Sequence, residues 1–344
     1  MAGLKYLDLM VTISMQKHRI LILFPLLFIC MTFSVSGWGG AIHAVINEAA
    51  AQNVPEEMSA WRAYAPLLAE HGADPDFWKR DDPAEPVRHF IDLEHYGTPP
   101  FEIPRNLSPL KNGARREGEA PWAIMDTMER LTEAMREKDW YQAARIAAAI
   151  GHYVGDTHQP LHCTVNYDGY QTGNAGIHLR WEVQMPRRIG SAATVTSPEP
   201  AVYITNLWNC VNGWIMEAWP LCANILQADN EARWASRNNV ESQYYFFQLW
   251  EKSQDVFLRQ ISRAAADLSS VWYTAWVDAG RPEIPPPPRQ ISSASIHVGR
   301  AARSPKEENR KGAIAVLAVI GAAGLIIIIS SVFKQRRQNT PPAK

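Results

Sequence analysis

Apolar residues recurring every three or four positions limit the possible folds of this 344-residue chain more than any other feature. The pattern runs through Ala41 to Ala51, Glu57 to Glu70, Pro121 to Lys138, Asp139 to Asp156 and roughly Asn238 to Trp276. That spacing gathers apolar side chains on one face of a helix. Alternating runs of the kind a half-buried strand needs are rare, and the best, Ala193 to Tyr203, is broken by Pro198 and Pro200. An all-α fold is expected, with long functional connections over about 71 to 120 and 160 to 200. The 13 tryptophans suit core and surface packing in such a fold.

Both ends carry apolar runs of a different kind. Residues 20 to 33, ILILFPLLFICMTF, follow Lys17, His18 and Arg19 and precede Ser34-Val35-Ser36-Gly37. This is the basic, apolar and small-residue order of a secretory signal, with cleavage expected after Gly37. Cys30 admits a lipoprotein reading, although Ile29 is not the small residue such signals use, and Met15 competes with Met1 as the start. Residues 312 to 333 hold no charge over 22 positions, about 33 Å as a helix, enough to cross a hydrocarbon core of ~30 Å. Lys334, Arg336 and Arg337 follow, so the positive-inside rule puts the 334–344 tail in the cytoplasm and the preceding domain outside it, exported and membrane-anchored. Residues 281 to 311, with four consecutive prolines, read as a spacer. One folded domain is therefore expected over 38–280, between the 1–37 extension and signal and the 281–311 linker.

The chain is nearly neutral, yet residues 38 to 280 carry 20 Lys and Arg against 31 Asp and Glu. Such a domain is poorly suited to a long basic groove tracking duplex nucleic acid, because that binding neutralises phosphates with Lys and Arg. Bound cations would change the balance locally. Cysteine usage fits export without defining a disulfide framework: Cys163, Cys210 and Cys222 remain after signal removal, and Cys210 with Cys222 could close a short loop.

Histidines and carboxylates carry the chemistry. Eight of the ten histidines lie between 38 and 280, four of them within residues 152–178. In GHYVGDTHQPLH, His152 and Asp156 stand four apart on a helix, so their side chains can converge on one ion. Pro160 interrupts that helix, which frees His162 to face elsewhere. In IHLRWE, His178 and Glu182 repeat the four-residue spacing. Two such pairs and the histidine between them read as more than one metal site, while a single pair is equally at home on a helix surface or in a core.

The run His152-x-x-Gly155-Asp156-x-x-Gln159-Pro160-Leu161-His162, with His178-x-x-x-Glu182 after it, resembles the superfamily that joins fungal single-strand-specific zinc nucleases to bacterial zinc phospholipases C. The resemblance implies a compact multi-helix domain holding three zinc ions, its mature chain beginning on a tryptophan whose amino group and carbonyl bind metal. Cleavage after Gly37 leaves Trp38 there, with His43 at the spacing of the nuclease branch. In PDFWKRDDPAEPVRHFIDLEHYG, Asp76 and His89 match the next ligands, with Asp74 as the competing aspartate. Lys79 falls where nucleases carry an arginine facing the phosphate, and an ammonium cannot make arginine's bidentate contact. His89-Phe90-Ile91-Asp92 matches the nuclease branch, where the aromatic stacks on a base and the aspartate hydrogen-bonds it; a structural role for Phe90 and Asp92 is the alternative.

By resemblance, Asp76, His89, His152 and Asp156 serve one zinc. Trp38, His43 and a bridging Asp156 serve its partner, and His162, His178 and Glu182 serve the third. Imidazole and carboxylate donors suit zinc independently. Glu182 follows the phospholipase pattern, where nucleases usually have aspartate. Such a centre implies hydrolysis of a phosphoric ester by metal-activated water, with Asp76, Asp156 and Lys79 as catalytic residues and no protein nucleophile. A nuclease or nucleotidase acting on single-stranded nucleic acid is expected, with a zinc phospholipase C acting on phospholipid head groups as the alternative. A zinc-binding protein without activity fits less well, because all the ligand positions are filled. His71, His95 and His158 are expected to be supporting or surface residues.

Overall fold

The computed structural model describes residues 39–106, 117–189, 195 and 199–287. The expected signal, Trp38, most of the linker, the expected span 312–333 and the basic tail lie outside the described residues. Among those described, no helix is long and apolar enough to cross a membrane.

The described residues form ten α-helices: α1 (Gly40–Gln52), α2 (Ala65–His71), α3 (Asp74–Trp78), α4 (Ala120–Arg136), α5 (Trp140–Thr157), α6 (Ile177–Leu179), α7 (Met185–Ile189), α8 (Leu207–Ala218), α9 (Leu221–Ala235) and α10 (Gln243–Asp278). Single 3₁₀ turns at Pro86–His89, Leu93–Tyr96 and Pro160–Cys163 and a π-helical turn at Arg180–Gln184 fill the connections. There is no named strand among the described residues, only an isolated bridge between Ile91 and Gly118. Gly118 has φ +84°, and a Cβ there would overlap the Phe90 carbonyl, so glycine is required for that close approach.

The helix starts follow local chemistry. Asp139 accepts a hydrogen bond from the Gln142 amide, Asn206 from Asn209 and Ser242 from Tyr245, each satisfying an amide that the first helical turn leaves free. The segment Glu57 to Glu70, expected to be one helix, instead begins as a 3₁₀ run over Glu56–Tyr64 and becomes α-helical only at Ala65. Pro66 explains the break, because proline has no amide to donate and is tolerated only in a first turn. Helices α8 and α9 were not anticipated, although Leu207, Val211, Trp214, Ile215 and Ala218 of α8 share one buried face.

α10, 36 residues long, packs along α1, α4, α5, α7 and α9. α5 is buried on nearly all sides, and its alanines at 143, 144, 147, 148 and 149 let neighbouring helices approach closely. Trp272 of α10 reaches through this layer and donates from Nε1 to the Ala147 carbonyl at 3.1 Å. Its ring meets Trp61 edge-on at 6.0 Å, and Trp61 stacks on Tyr64 at 4.7 Å. Full burial of each such side chain contributes about 1.5–3 kcal/mol, and truncating one to alanine leaves a cavity costing about 3–5 kcal/mol. After α10 the chain runs without helix from Arg281 to Pro287, held by Trp276 Nε1 donating to the Pro282 carbonyl (2.8 Å) and the Tyr64 hydroxyl donating to that of Pro285 (3.1 Å).

Cys163, Cys210 and Cys222 are free thiols, so the possible Cys210–Cys222 bridge is not formed. The buried Cys222 thiol instead donates to the Pro160 carbonyl at 2.8 Å.

Candidate metal centre

Close contact between α1 and α5 builds the first part of the site. Gly151 and Gly155 stand one turn apart on α5, and a Cβ at Gly155 would lie 3.1 Å from Nδ1 of His43. Without those side chains His43 reaches the α5 surface and stacks on His152, ring centroids 3.7 Å apart. Asn47 secures the approach: it is fully buried and its Nδ2 donates to the His43 carbonyl at 2.9 Å. α3 adds Asp76, and the 3₁₀ turn ending at His89 brings that ring over the same spot.

The ligand-type atoms converge. His152 Nε2 lies 3.0 Å from His89 Nδ1, 3.5 Å from Asp76 Oδ1 and 3.3 Å from Asp156 Oδ2. Asp156 Oδ1 is 3.5 Å from His43 Nε2 and 3.5 Å from His162 Nδ1. In a further group, His162 Nε2, His178 Nε2 and Glu182 Oε2 are mutually 2.9–3.5 Å apart. Three sets, His43–His152–Asp156, Asp76–His89–His152 and His162–His178–Glu182, each offer atoms within 4.8 Å of one another, all buried. Donors ~2.0–2.1 Å from one tetrahedral ion stand about 3.3 Å apart, so these separations suit a shared cation.

Several supporting contacts aim the rings. His152 donates from Nδ1 to the Gly72 carbonyl (2.9 Å) and His162 from Nδ1 to that of His89 (2.7 Å), which turns both Nε2 atoms inward. Gln159 donates to Glu182 Oε2 and receives the Leu161 amide, both at 2.6 Å, tying the turn after α5 to the second group. Glu182 sits in the π-helical turn, and a single turn of this kind re-aims side chains at many functional sites.

The residues present fit a metal. His43 Nδ1 and Nε2, Asp156 Oδ1, His178 Nδ1 and Glu182 Oε1 are buried without a hydrogen-bond partner among the described residues. Leaving such groups unmatched costs about 1–3 kcal/mol each, more when charged, and a cation among imidazoles and carboxylates removes much of that cost. The electrostatics point the same way. Burial, with the neighbouring His152 next, pushes His43 down to about 3. His152 is pushed up to about 10: burial opposes its protonation, but Asp156 and Asp76 outweigh it. Burial raises Asp156 and Asp76, yet the adjoining histidines hold both well below the usual carboxylate range.

Asp74 stays out of the cluster, because Arg145 of α5 (2.5 Å) and His71 (3.0 Å) take its Oδ2. Lys79 faces Asp76, Nζ to Oδ1 2.8 Å. After His89 the chain is extended at Phe90, so His89 and Ile91 turn inward while Phe90 and Asp92 stay half-buried on the other side. Burial pushes the Asp92 carboxyl up to about 6. His95 is exposed, His71 bonds Asp74, and His158 spans the Val154 carbonyl and Asp267, each at 2.9 Å; none of the three joins the cluster. Sequence reasoning missed Glu85, whose signal was a position one helical turn before His89. It also missed Glu94, which receives the Val165 amide and the Trp219 indole and anchors the chain just after His162.

Residues 38–188 match the S1/P1 nuclease family. That match supports a likeness of this segment to the zinc-dependent nuclease and phospholipase C superfamily. The matched segment ends in α7 and contains all nine expected ligand positions. The match supports a nuclease-type hydrolase, a phosphodiesterase in reaction class. The family is zinc-dependent in general, and the three buried groups are those that could hold the metal. No curated protein matches the chain.

Proposed function

We propose that this nuclease-type domain cleaves single-stranded nucleic acid using three zinc ions, held by the nine residues from Trp38 to Glu182. The observation that carries the reading is the meeting of three buried groups of ligand-type residues around Asp156 of α5, where His152 belongs to two groups and Asp156 faces His43, His89, His152 and His162, the last a member of the third. Zinc bound there supplies Lewis-acid polarisation of a phosphodiester and acidifies the attacking water. Asp76 and Asp156 hold negative charge in a buried setting, and that charge orients the surrounding imidazoles. Lys79 offers its ammonium to a phosphate oxygen from beside Asp76, as a point charge without arginine's two-pronged geometry. Phe90 stacks on a base and Asp92 accepts a hydrogen bond from it. An unstacked nucleotide enters such a recessed site more easily than a paired one, which favours single strands.

The same reading has the protein exported, cleaved after Gly37 and anchored by residues 312–333. The full chain, purified with zinc, should cut single-stranded DNA or RNA faster than duplex and lose activity on chelation. Preference for phosphatidylcholine over oligonucleotides would replace this reading with the phospholipase one that Glu182 suggests. Activity that survives metal removal would refute the zinc mechanism.

A further inference from the structure

We propose that Glu85 is a positioning residue for the metal centre, holding the far nitrogen of His89 so that Nδ1 points into the cluster. The proposal rests on the metal-centre reading above. Glu85 is fully buried, and its Oε1 lies 3.3 Å from His89 Nε2. On the opposite edge of the same ring, Nδ1 stands 3.0 Å from both Asp156 Oδ2 and His152 Nε2. The ring is therefore strung between a supporting carboxylate and the ligand cluster. His152 and His162 rest their far nitrogens on backbone carbonyls, whereas His89 faces a carboxylate, the stronger acceptor. A carboxylate there keeps the ring proton on Nε2 and leaves the Nδ1 lone pair for the cation. The two atoms stand at ion-pair distance, and Nε2 has no other hydrogen-bond partner among the described residues.

Glu85 is itself aimed from two sides. It accepts the hydroxyl of Tyr153, which stands on α5 between His152 and Asp156, so the helix bearing two ligands also sets the support of a third. Arg88 lies 3.6 Å from its other oxygen and offsets the burial of a carboxylate. The guanidinium reaches Asp126 and Thr127 of α4, each at 3.3 Å, which fixes the whole arrangement to a neighbouring helix. The His89 ring also meets Tyr153 edge-on at 5.6 Å, so it cannot swing freely.

The test compares the full chain with Glu85→Ala, Glu85→Gln and Tyr153→Phe. Readouts are zinc retained against a competing chelator, the visible spectrum of the cobalt-substituted protein, and the helical melt. Glu85→Ala should weaken retention of one zinc by about 10–100-fold and change the cobalt spectrum. Glu85→Gln keeps an oxygen that accepts from Nε2 and should recover much of the loss. Tyr153→Phe, which frees Glu85 from its aim, should give a smaller change of the same kind and carries the test with Glu85→Gln if the alanine variant does not fold. Parent-like zinc retention and cobalt spectrum in folded Glu85→Ala, or in Tyr153→Phe, would overturn the positioning role. A parent protein that binds no zinc would overturn the metal-centre reading together with this one.

Discussion

Replacing Gly151 and Gly213 by alanine, one at a time, separates helix propensity from the packing that brings α1 to the site. Both glycines lie inside α-helices, where alanine is favoured by about 0.8–1 kcal/mol. At Gly213 a Cβ meets nothing within 4 Å, so the propensity gain should appear alone. At Gly151 a Cβ would overlap the Asn47 amide oxygen and lie 2.8 Å from both Cγ and Nδ2. Asn47 has no room to yield, being fully buried and bonded to the His43 carbonyl. Overpacking costs about 1–3 kcal/mol and a lost hydrogen bond about 0.5–1.5 kcal/mol, so a net loss of roughly 1–3 kcal/mol remains after the propensity gain. For a domain of this size each kcal/mol moves the melting midpoint by about 2–4 °C. Thermal melts followed by circular dichroism at fixed zinc should place Gly151→Ala roughly 3–10 °C below the parent and Gly213→Ala roughly 2–4 °C above it. Gly151→Ala should also bind zinc less tightly, because His43 moves with α1. A Gly151→Ala protein that melts at or above the parent would refute the close-packing argument.

Asp156→Asn, which keeps size and removes charge, should lower hydrolysis by orders of magnitude while far-UV circular dichroism stays helical; near-normal turnover would discard Asp156 as a shared ligand. An extra residue before Trp38 in the mature chain should displace its free amine and lose one zinc by elemental analysis, and three zincs with full activity would count against the N-terminal ligand. Phe90→Ala should lose a stacking contact of ~1–3 kcal/mol, slowing oligonucleotide cleavage roughly 5- to 150-fold and sparing a small chromogenic phosphodiester, and equal loss on both would deny a base site. The Asp92 carboxyl is pushed up from 3.8 to about 6 by burial, so the folded state keeps a proton that the unfolded chain has already shed. Its contribution to stability therefore falls as pH rises through that window, and denaturant midpoints should show Asp92→Asn gaining on the parent between pH 4 and about 7; parallel curves would contradict the burial effect.

Much of the helical framework was legible because a helix is specified by residues within about four positions of one another. α1, α4, α5 and α10 lie within a few residues of their apolar periodicities. The helix-end role of Pro160 and the pairing of His152 with Asp156 and of His178 with Glu182 belong to the same local class. α8 and α9 carry the same signal, and Pro66 divides a segment whose periodicity alone implies one helix.

By itself the sequence determined the helical framework of the described residues and two i, i+4 pairs of ligand-type residues, since both depend only on the repeat of the backbone. Tertiary structure alone decided which distant residues meet those pairs. Asp76 rather than Asp74 joins the cluster because Arg145, on another helix, takes Asp74. His43 reaches His152 because two glycines on α5 leave space for α1, and His89 is held between Asp156 and Glu85 because its 3₁₀ turn packs against Tyr153. Such choices are made by excluded volume and by the pairing of buried charges between segments far apart in the chain, and neither is encoded in the spacing of near neighbours.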